Sequence, residues 1–266
     1  LESADIVQKY GEKSLGSANP CLMVTGKGED FEVIALNDLG IKFIKFLKGD
    51  FDFCDKITYK NDRIIGKLVP KRSLVSEEER LKLKNHMDII RKIAFKFKPT
   101  EKPFVPYAGL FGFISYDFID QFEDLPKNNE DIIQDPDYVL YFLDNLFLID
   151  HKQNKTYFIS NALVTGNDKN LHKECLSNLN RYNEAIKKEI PKKKKFRKSK
   201  LNIQTDTGKG EFIEKAKKIK EHIKAGDIYQ GVISRTIFSN FNKEPLDIYK
   251  KLRKLNPSPY MFYING

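Results

Sequence analysis

The sequence predicts an α+β fold, an antiparallel-rich sandwich of two sheets with helices on the outside. Three observations carry that expectation. Short strand-like runs alternate with polar turns through the first half, and two long apolar runs flank one polar turn between Asp137 and Val164. Apolar residues at helical spacing are confined to a few separate segments. With 266 residues, 40% of them hydrophobic and including 20 Phe and 12 Tyr, the chain has ample material for a core.

In chain order, the first strands expected are CLMVTG from Cys21, FEVIAL from Phe31, DKITYK from Asp55 and RIIGKLV from Arg63. A helix is expected from Ser76 to about Phe97. Ser76 and Glu79 stand at capping-box spacing, Leu83, Met87, Ile90 and Ala94 recur on one face, and Pro99 ends the element. YAGLFGFISYDFIDQFEDLP follows, with Gly109 and Gly112 inside an apolar run, which suits a strand whose backbone approaches its neighbour closely. Glu123 and Asp124 at its end read as a turn or surface feature. DYVLYFLDNLFLIDHKQNKTYFISNALV then reads as two long strands joined by the turn His151 to Lys155.

A further helix, with Leu176, Leu179, Tyr182 and Ile186 on one side, leads into KKEIPKKKKFRKSK, Lys187 to Lys200, with nine basic residues and one acidic. Most of the chain's net charge of +10 is therefore local. The run lacks the interleaved aromatics of a nucleic-acid surface and is expected to be a solvated linker over residues 187–205. A basic RNA-binding module, or another non-catalytic small-molecule-binding module, is the bland alternative. Binding that is insensitive to salt and survives deletion of Lys192 to Lys200 excludes the nucleic-acid version.

Beyond the linker, Phe212, Ala216, Ile219 and Ile223 mark a helix that Gly226 stops in the left-handed conformation. DIYQGVISRTIFSNF reads as a strand with Gln230, Val232, Ser234, Thr236 and Phe238 on one face. On that face the Gln230 amide either completes a structural network or meets a polar ligand. PLDIYKKLRKL is a short helix with Pro245 at its first position. In the tail, NPSPYMFYING, two prolines preset a turn before an apolar stretch that starts at Tyr260.

Cys21, Cys54 and Cys175 are far apart and, like the four histidines, make no metal-ligand spacing, so core thiols in a reducing, cytoplasmic setting are expected. Apolar runs are strand-sized, well short of the roughly 20 residues that span a bilayer. The opening LESADIVQKY has the character of neither a signal peptide nor a natural start.

Several of these segments together carry a resemblance. IKAGDIYQGVISRTIF, PLDIYKKLRKLNPSPYMFY, SYDFIDQFEDLP, LESADI and DPDYVLYFLDNLFLIDHKQNKT resemble, in the same order, anthranilate synthase component I of the chorismate-utilising enzymes. The resemblance spans nearly the whole chain and implies an amino-terminal fragment, cut before the C-terminal half of the chorismate-binding fold. It implies that residues 1–186 form a regulatory, tryptophan-binding region and residues 206–266 begin the catalytic domain. The activity implied is a lyase reaction in tryptophan biosynthesis, making anthranilate and pyruvate from chorismate and ammonia, with ammonia delivered by a glutamine amidotransferase subunit. Feedback inhibition by tryptophan is implied at Leu1, Glu2, Ser3 and Lys13, together with Asn256, Pro257, Ser258, Pro259, Tyr260 and Met261. A free amino acid needs an acceptor for its ammonium, a cation or donor for its carboxylate and an apolar slot, roles open to Glu2, Lys13 and Tyr260 with Met261.

The resemblance also gives Gln230 a place lining the active site. Relatives that add water carry lysine there, and a neutral amide suits ammonia, which attacks without first losing a proton. Mg²⁺ is the implied cofactor, with its ligands and the remaining catalytic residues beyond this chain, so the chain alone is expected to be inactive. The alternative within the family is aminodeoxychorismate synthase component I, of the folate branch.

Overall fold

The computed structural model describes residue 2 and residues 11–69, 76–80, 82–100, 106–126, 131, 133–166, 169–189, 202–241 and 244–265. The basic stretch 190–201 lies outside these residues. The chain divides into two compact units, Leu1–Glu189 with Pro257–Gly266, and Ile190–Asn256.

The first unit holds β1 (Lys13–Gly16), β2 (Leu22–Lys27), β3 (Asp30–Ala35), α1 (Asp38–Phe46), β4 (Lys56–Tyr59) and β5 (Arg63–Lys67). It continues with α2 (Glu77–Arg80), α3 (His86–Lys96), β6 (Gly109–Ile114), a 3₁₀ turn at Tyr116–Gln121, β7 (Tyr138–Leu143), β8 (Asn145–Asp150), β9 (Lys155–Ser160) and α4 (Leu171–Lys187). Six strands pair in the order β4-β5-β3-β2-β7-β6 and three in the order β1-β8-β9. Every pairing is antiparallel.

Strand alternation decides what these sheets bury. Leu22 and Val24 of β2, Phe31 and Val33 of β3, Ile64 of β5, and Leu140 and Phe142 of β7 project from one face of the larger sheet. They pack against Phe43 and Ile44 of α1 and Ile89, Ile90 and Ile93 of α3, each fully buried apolar side chain contributing about 1.5–3 kcal/mol. On the opposite face Phe111 and Tyr141 join a second, smaller core with Leu15, Leu146 and Leu148 from the three-stranded sheet. On the far side of that sheet, Tyr182 of α4 stacks on Phe158 with ring centroids 5.6 Å apart, and meets Phe147 edge-on. The expected two-sheet arrangement with outer helices is therefore present.

Three elements differ from expectation. The helix expected from Ser76 to Phe97 is two helices. Ser76 makes its box with Glu79, the Ser76 amide donating to the carboxylate at 3.1 Å, but α2 ends at Arg80. A second box starts the chain afresh: Asn85 Oδ1 accepts from the Met87 amide at 2.9 Å and the Asn85 amide donates to Asp88 at 3.1 Å. The new start turns His86, Ile89, Ile90 and Ile93 inward, rather than the face through Leu83, Met87 and Ala94. Asn85→Ala is expected to destabilise the protein by about 1 kcal/mol, read as a lower urea midpoint at unchanged slope.

Burial of His86 has a chemical consequence. Its side chain is 0% exposed, with Nε2 3.2 Å from the Glu29 carbonyl oxygen and Nδ1 3.3 Å from the Tyr138 hydroxyl. Both ring nitrogens are thus partnered while the ring lies edge-on to Phe31 and Tyr138. Desolvation holds its pKa below the ordinary value, so it is a neutral core residue.

The first of the two long strands expected after Asp137 breaks at Asp144 into β7 and β8, which belong to different sheets. The second break with expectation within this region is thus one of topology, since the β8-β9 turn falls where its polar residues predict.

The second unit holds β10 (Ile203–Thr205), α5 (Lys209–Ala225), β11 (Ile237–Ser239) and α6 (Pro245–Leu255), with β10 and β11 antiparallel. Gly226 ends α5 at φ 85° and Pro245 opens α6, as their chemistry predicts. The strand expected from Asp227 to Phe241 forms only at Ile237–Ser239. A strand requires a ladder, and β10 is three residues long, so residues 228–236 have no strand partner among the described residues. Neither α5 nor α6 has a buried residue, and Ile213, Ile223, Leu246, Ile248, Leu252 and Leu255 are all exposed.

Candidate functional site

The edge of β1 away from β8 organises the candidate site. β1 pairs with β8 on one side, Lys13 opposite Asp150 and Ser14 opposite Ile149. On its other side Ser14 makes an antiparallel bridge with Glu2, and Glu2 makes a second such bridge with Met261. The Glu2 amide donates to the Met261 carbonyl at 2.7 Å and the Met261 amide donates to the Glu2 carbonyl at 2.8 Å. Residues from the two ends of the sequence therefore extend the three-stranded sheet.

Pairing fixes which side chains share a face. Residues directly opposed across antiparallel pairs project to the same side, so Glu2, Ser14 and Met261 lie together. Met261 is 7% exposed, Glu2 is half-buried, and Ser14 Oγ lies 2.8 Å from His151 Nε2. Lys13 alternates onto the opposite face, beside Asp150. Tyr260, expected with Met261 in an apolar slot, is 81% exposed; alternation from Met261 turns it the other way.

Among the other residues expected here, Pro257 and Ser258 are half-buried and Pro259 is exposed. Asn256 is the last residue of the second unit, where its amide donates to the Leu252 carbonyl at the end of α6 at 2.8 Å. Leu1 and Ser3 lie outside the described residues. Ser14 and His151 were not singled out from the sequence; only the pairing of Ser14 with Glu2 brings them in. The cluster offers a carboxylate, a hydroxyl, an imidazole and a buried thioether around two paired backbones, groups able to hold a small zwitterion with an apolar side chain.

Gln230 is exposed and belongs to no strand, so the buried face on which it was expected is not formed among the described residues. Glu123 is half-buried and Asp124 exposed, just past the 3₁₀ turn that ends at Gln121. Among the described residues no group of three or more His, Cys, Asp or Glu is placed to hold a metal ion. Cys21 is buried, Cys54 and Cys175 are half-buried, and all three are free thiols. Burial pushes the Cys54 thiol up to about 11, which leaves it protonated and unreactive. No helix among the described residues is long and apolar enough to cross a membrane.

Comparison with known proteins points one way. Anthranilate synthase component 1 of Acetivibrio thermocellus is 33% identical over 193 residues, covering 68% of this chain and 38% of that protein. The protein of the same name from Vibrio cholerae is 27% identical over 269 residues, covering 99% of this chain and 50% of that one. The crystal structure of anthranilate synthase component I from Streptococcus pneumoniae TIGR4 superposes with a TM-score of 0.63 at 20% identity, over 94% of this chain and 47% of that chain. At that identity the likeness is one of fold, and it agrees with the antiparallel α+β architecture. The chain spans about half the length of the curated relatives it matches. Residues 52–266 match the family described as chorismate binding enzyme, and since that match takes in well over half of the sequence, the chain belongs to this family.

Proposed function

We propose that this chain is part of the large subunit of an anthranilate synthase, and that the Glu2–Met261 pairing is the floor of its tryptophan feedback site. The observation that carries the reading is that pairing. It builds a half-buried carboxylate and a buried methionine into one sheet edge, in a chain whose relatives bear the name anthranilate synthase component 1. The Glu2 carboxylate accepts the effector's ammonium, Met261 packs against its ring, and Ser14 with His151 walls the same face. Lys13, on the other face, reaches the carboxylate only around the sheet edge, which makes it the weakest of the pairings.

In the whole protein, ammonia replaces the ring hydroxyl of chorismate, which leaves as water, and loss of the enolpyruvyl group as pyruvate aromatises the ring. Gln230 is assigned to the lining of that site, its neutral amide orienting ammonia without acting as a base. Mg²⁺ supplies Lewis-acid and templating chemistry when bound. The described residues do not fit it, since no group of three or more His, Cys, Asp or Glu among them is placed to hold a metal ion. The relatives' names imply a second component, and in this reading it is a glutamine amidotransferase that supplies the ammonia. Free thiols fit a reducing cytoplasmic setting.

The reading is tested by supplying the polypeptide, at the length of its relatives, with chorismate, magnesium and an ammonium salt. Fluorescent anthranilate is the expected product. A non-fluorescent aminated chorismate moves the protein to the folate branch, and no reaction with ammonia overturns the synthase reading altogether.

A further inference from the structure

We propose that the Asp144 corner is a proton-operated joint between the two sheets of the first unit. β7 ends at Leu143, paired with Gly109 in the six-stranded sheet, and β8 begins at Asn145, paired with Ser160 in the three-stranded sheet. Asp144 is the one residue between them. The chain makes a second passage between the same sheets from β1 to β2, and that passage ends at Cys21, whose amide donates to the Phe142 carbonyl at 3.2 Å. Both passages therefore meet at the Asp144 side chain.

The backbone there is well held. The Asp144 carbonyl accepts from the Asn161 amide and from Asn161 Nδ2, each at 2.9 Å, and the Ser17 hydroxyl donates to the Asn145 carbonyl at 2.5 Å. The carboxyl group is held less well. It is 1% exposed in its residue, Oδ2 accepts from Asn145 Nδ2, and Oδ1 has no hydrogen-bond partner among the described residues.

The surroundings of the carboxyl are almost free of charge. Cys21, 0% exposed, brings a thiol from the start of β2, a weak donor at best, and Asn145 and Asn161 bring amides from either side. Cys21 is the titratable neighbour, and the largest influences on the carboxyl are its burial and, against it, the neutral donors beside it, the Asp144 and Cys21 amides and the Cys21 and Asn145 side chains. An anion in this place keeps part of its acceptor capacity unused in a dry site, where the neutral acid needs one donor fewer. Desolvation accordingly raises Asp144 to about 6, and with Asp144 beside it burial pushes the Cys21 thiol up as well.

The sign follows from the raised folded value. The corner's contribution to stability is complete below the ordinary carboxyl range and is lost as pH rises through about 6. The ionised carboxylate finds its missing donor in water, and the corner opens to admit it. His86 acts in the opposite sense, because its lowered pKa makes its contribution fall away as pH drops. β1, which carries Ser14 and through it Glu2 and Met261, runs toward this corner, so the joint and the proposed effector site share one strand. That last link rests on the proposed function.

Hydrogen exchange at the Cys21 and Asn161 amides, whose bonds span the corner, tests the joint in the full-length polypeptide. Their protection relative to intrinsic rates is expected to fall by up to about tenfold per pH unit between about 4 and about 6 and to level off above that, while amides of β3 and β5 hold steady. Asp144→Asn, neutral at every pH, is expected to give a flat profile. The same pH dependence in Asp144→Asn, or none in the wild type, overturns the joint. Should that variant not fold, the wild type alone decides: loss of protection confined to the corner supports the joint, and loss shared with β3 and β5 overturns it. Tryptophan binding forms a separate arm. Affinity about fivefold weaker above pH 6 in the wild type alone supports coupling. Binding without that difference overturns the coupling, whereas no binding at any pH defeats the effector reading and leaves the exchange result standing.

Discussion

Gly112→Ala is expected to lower the stability of the protein by about 3 kcal/mol or more, a fall of about 6–12 °C in Tm for a chain of this size. Gly112 lies in β6 opposite Leu140 of β7. A Cβ added there stands 1.9 Å from the Val139 carbonyl oxygen and 2.9 Å from the Leu140 Cα. Both are backbone atoms of a strand clamped between β2 and β6, so no rotamer change relieves the clash. The sheet must either part at β6-β7 or shift Tyr141 and Phe142, which serve the two cores on opposite faces. Gly210→Ala is the matched control. Nothing lies within 4 Å of its added Cβ, and it sits in the first turn of α5, where alanine gains helix propensity. Equal effects of the two substitutions in thermal melts would show that β6 does not approach β7 so closely.

The second large effect concerns the edge of the smaller sheet. Glu2→Gln keeps both backbone bonds to Met261 and removes only the charge. A hydrogen bond to a charged group contributes about 1.5–3 kcal/mol, so tryptophan inhibition is expected to weaken by about tenfold to a hundredfold while uninhibited synthesis is unchanged. Met261→Pro removes the amide that donates to the Glu2 carbonyl at 2.8 Å and is expected to weaken inhibition at least as much, by detaching the tail rather than by removing charge. Tryptophan inhibition constants for the two variants separate these causes. An unchanged constant for Glu2→Gln removes that carboxylate from the site.

Local chemistry made much of the fold legible. Gly226 and Pro245 stand where a left-handed stop and a helix start require them, and the polar residues from His151 mark the β8-β9 turn. Gly112 signalled a close approach through the oddity of a glycine in an apolar strand. What could not be read depends on distant partners. Nothing in YFLDNLFLID distinguishes one long strand from two that part at Asp144, because the apolar pattern continues on either side and only the burial of Asp144 between two sheets shows the corner. Asn85 competes with Ser76 as a helix start, and the window of apolar periodicity spans both.

The site was legible in a different way. Residue pattern alone places neither Glu2 beside Met261 nor Ser14 beside both, since antiparallel pairing between opposite ends of a chain leaves no local trace. The family resemblance brought the two segments together, and the backbone pairing gives that juxtaposition a physical form. Gln230 shows the converse: strand periodicity assigned it a face, but without a ladder the face does not exist among the described residues.

The most direct test of the central claim is the rate of anthranilate formation from chorismate and ammonia with and without tryptophan, measured for the polypeptide at the length of its relatives and for Glu2→Gln. Synthesis suppressed by tryptophan in the wild type and released in the variant is the predicted result. Anthranilate formed at a rate that tryptophan does not change would contradict the feedback site at the Glu2–Met261 pairing, and absence of anthranilate would contradict the synthase itself.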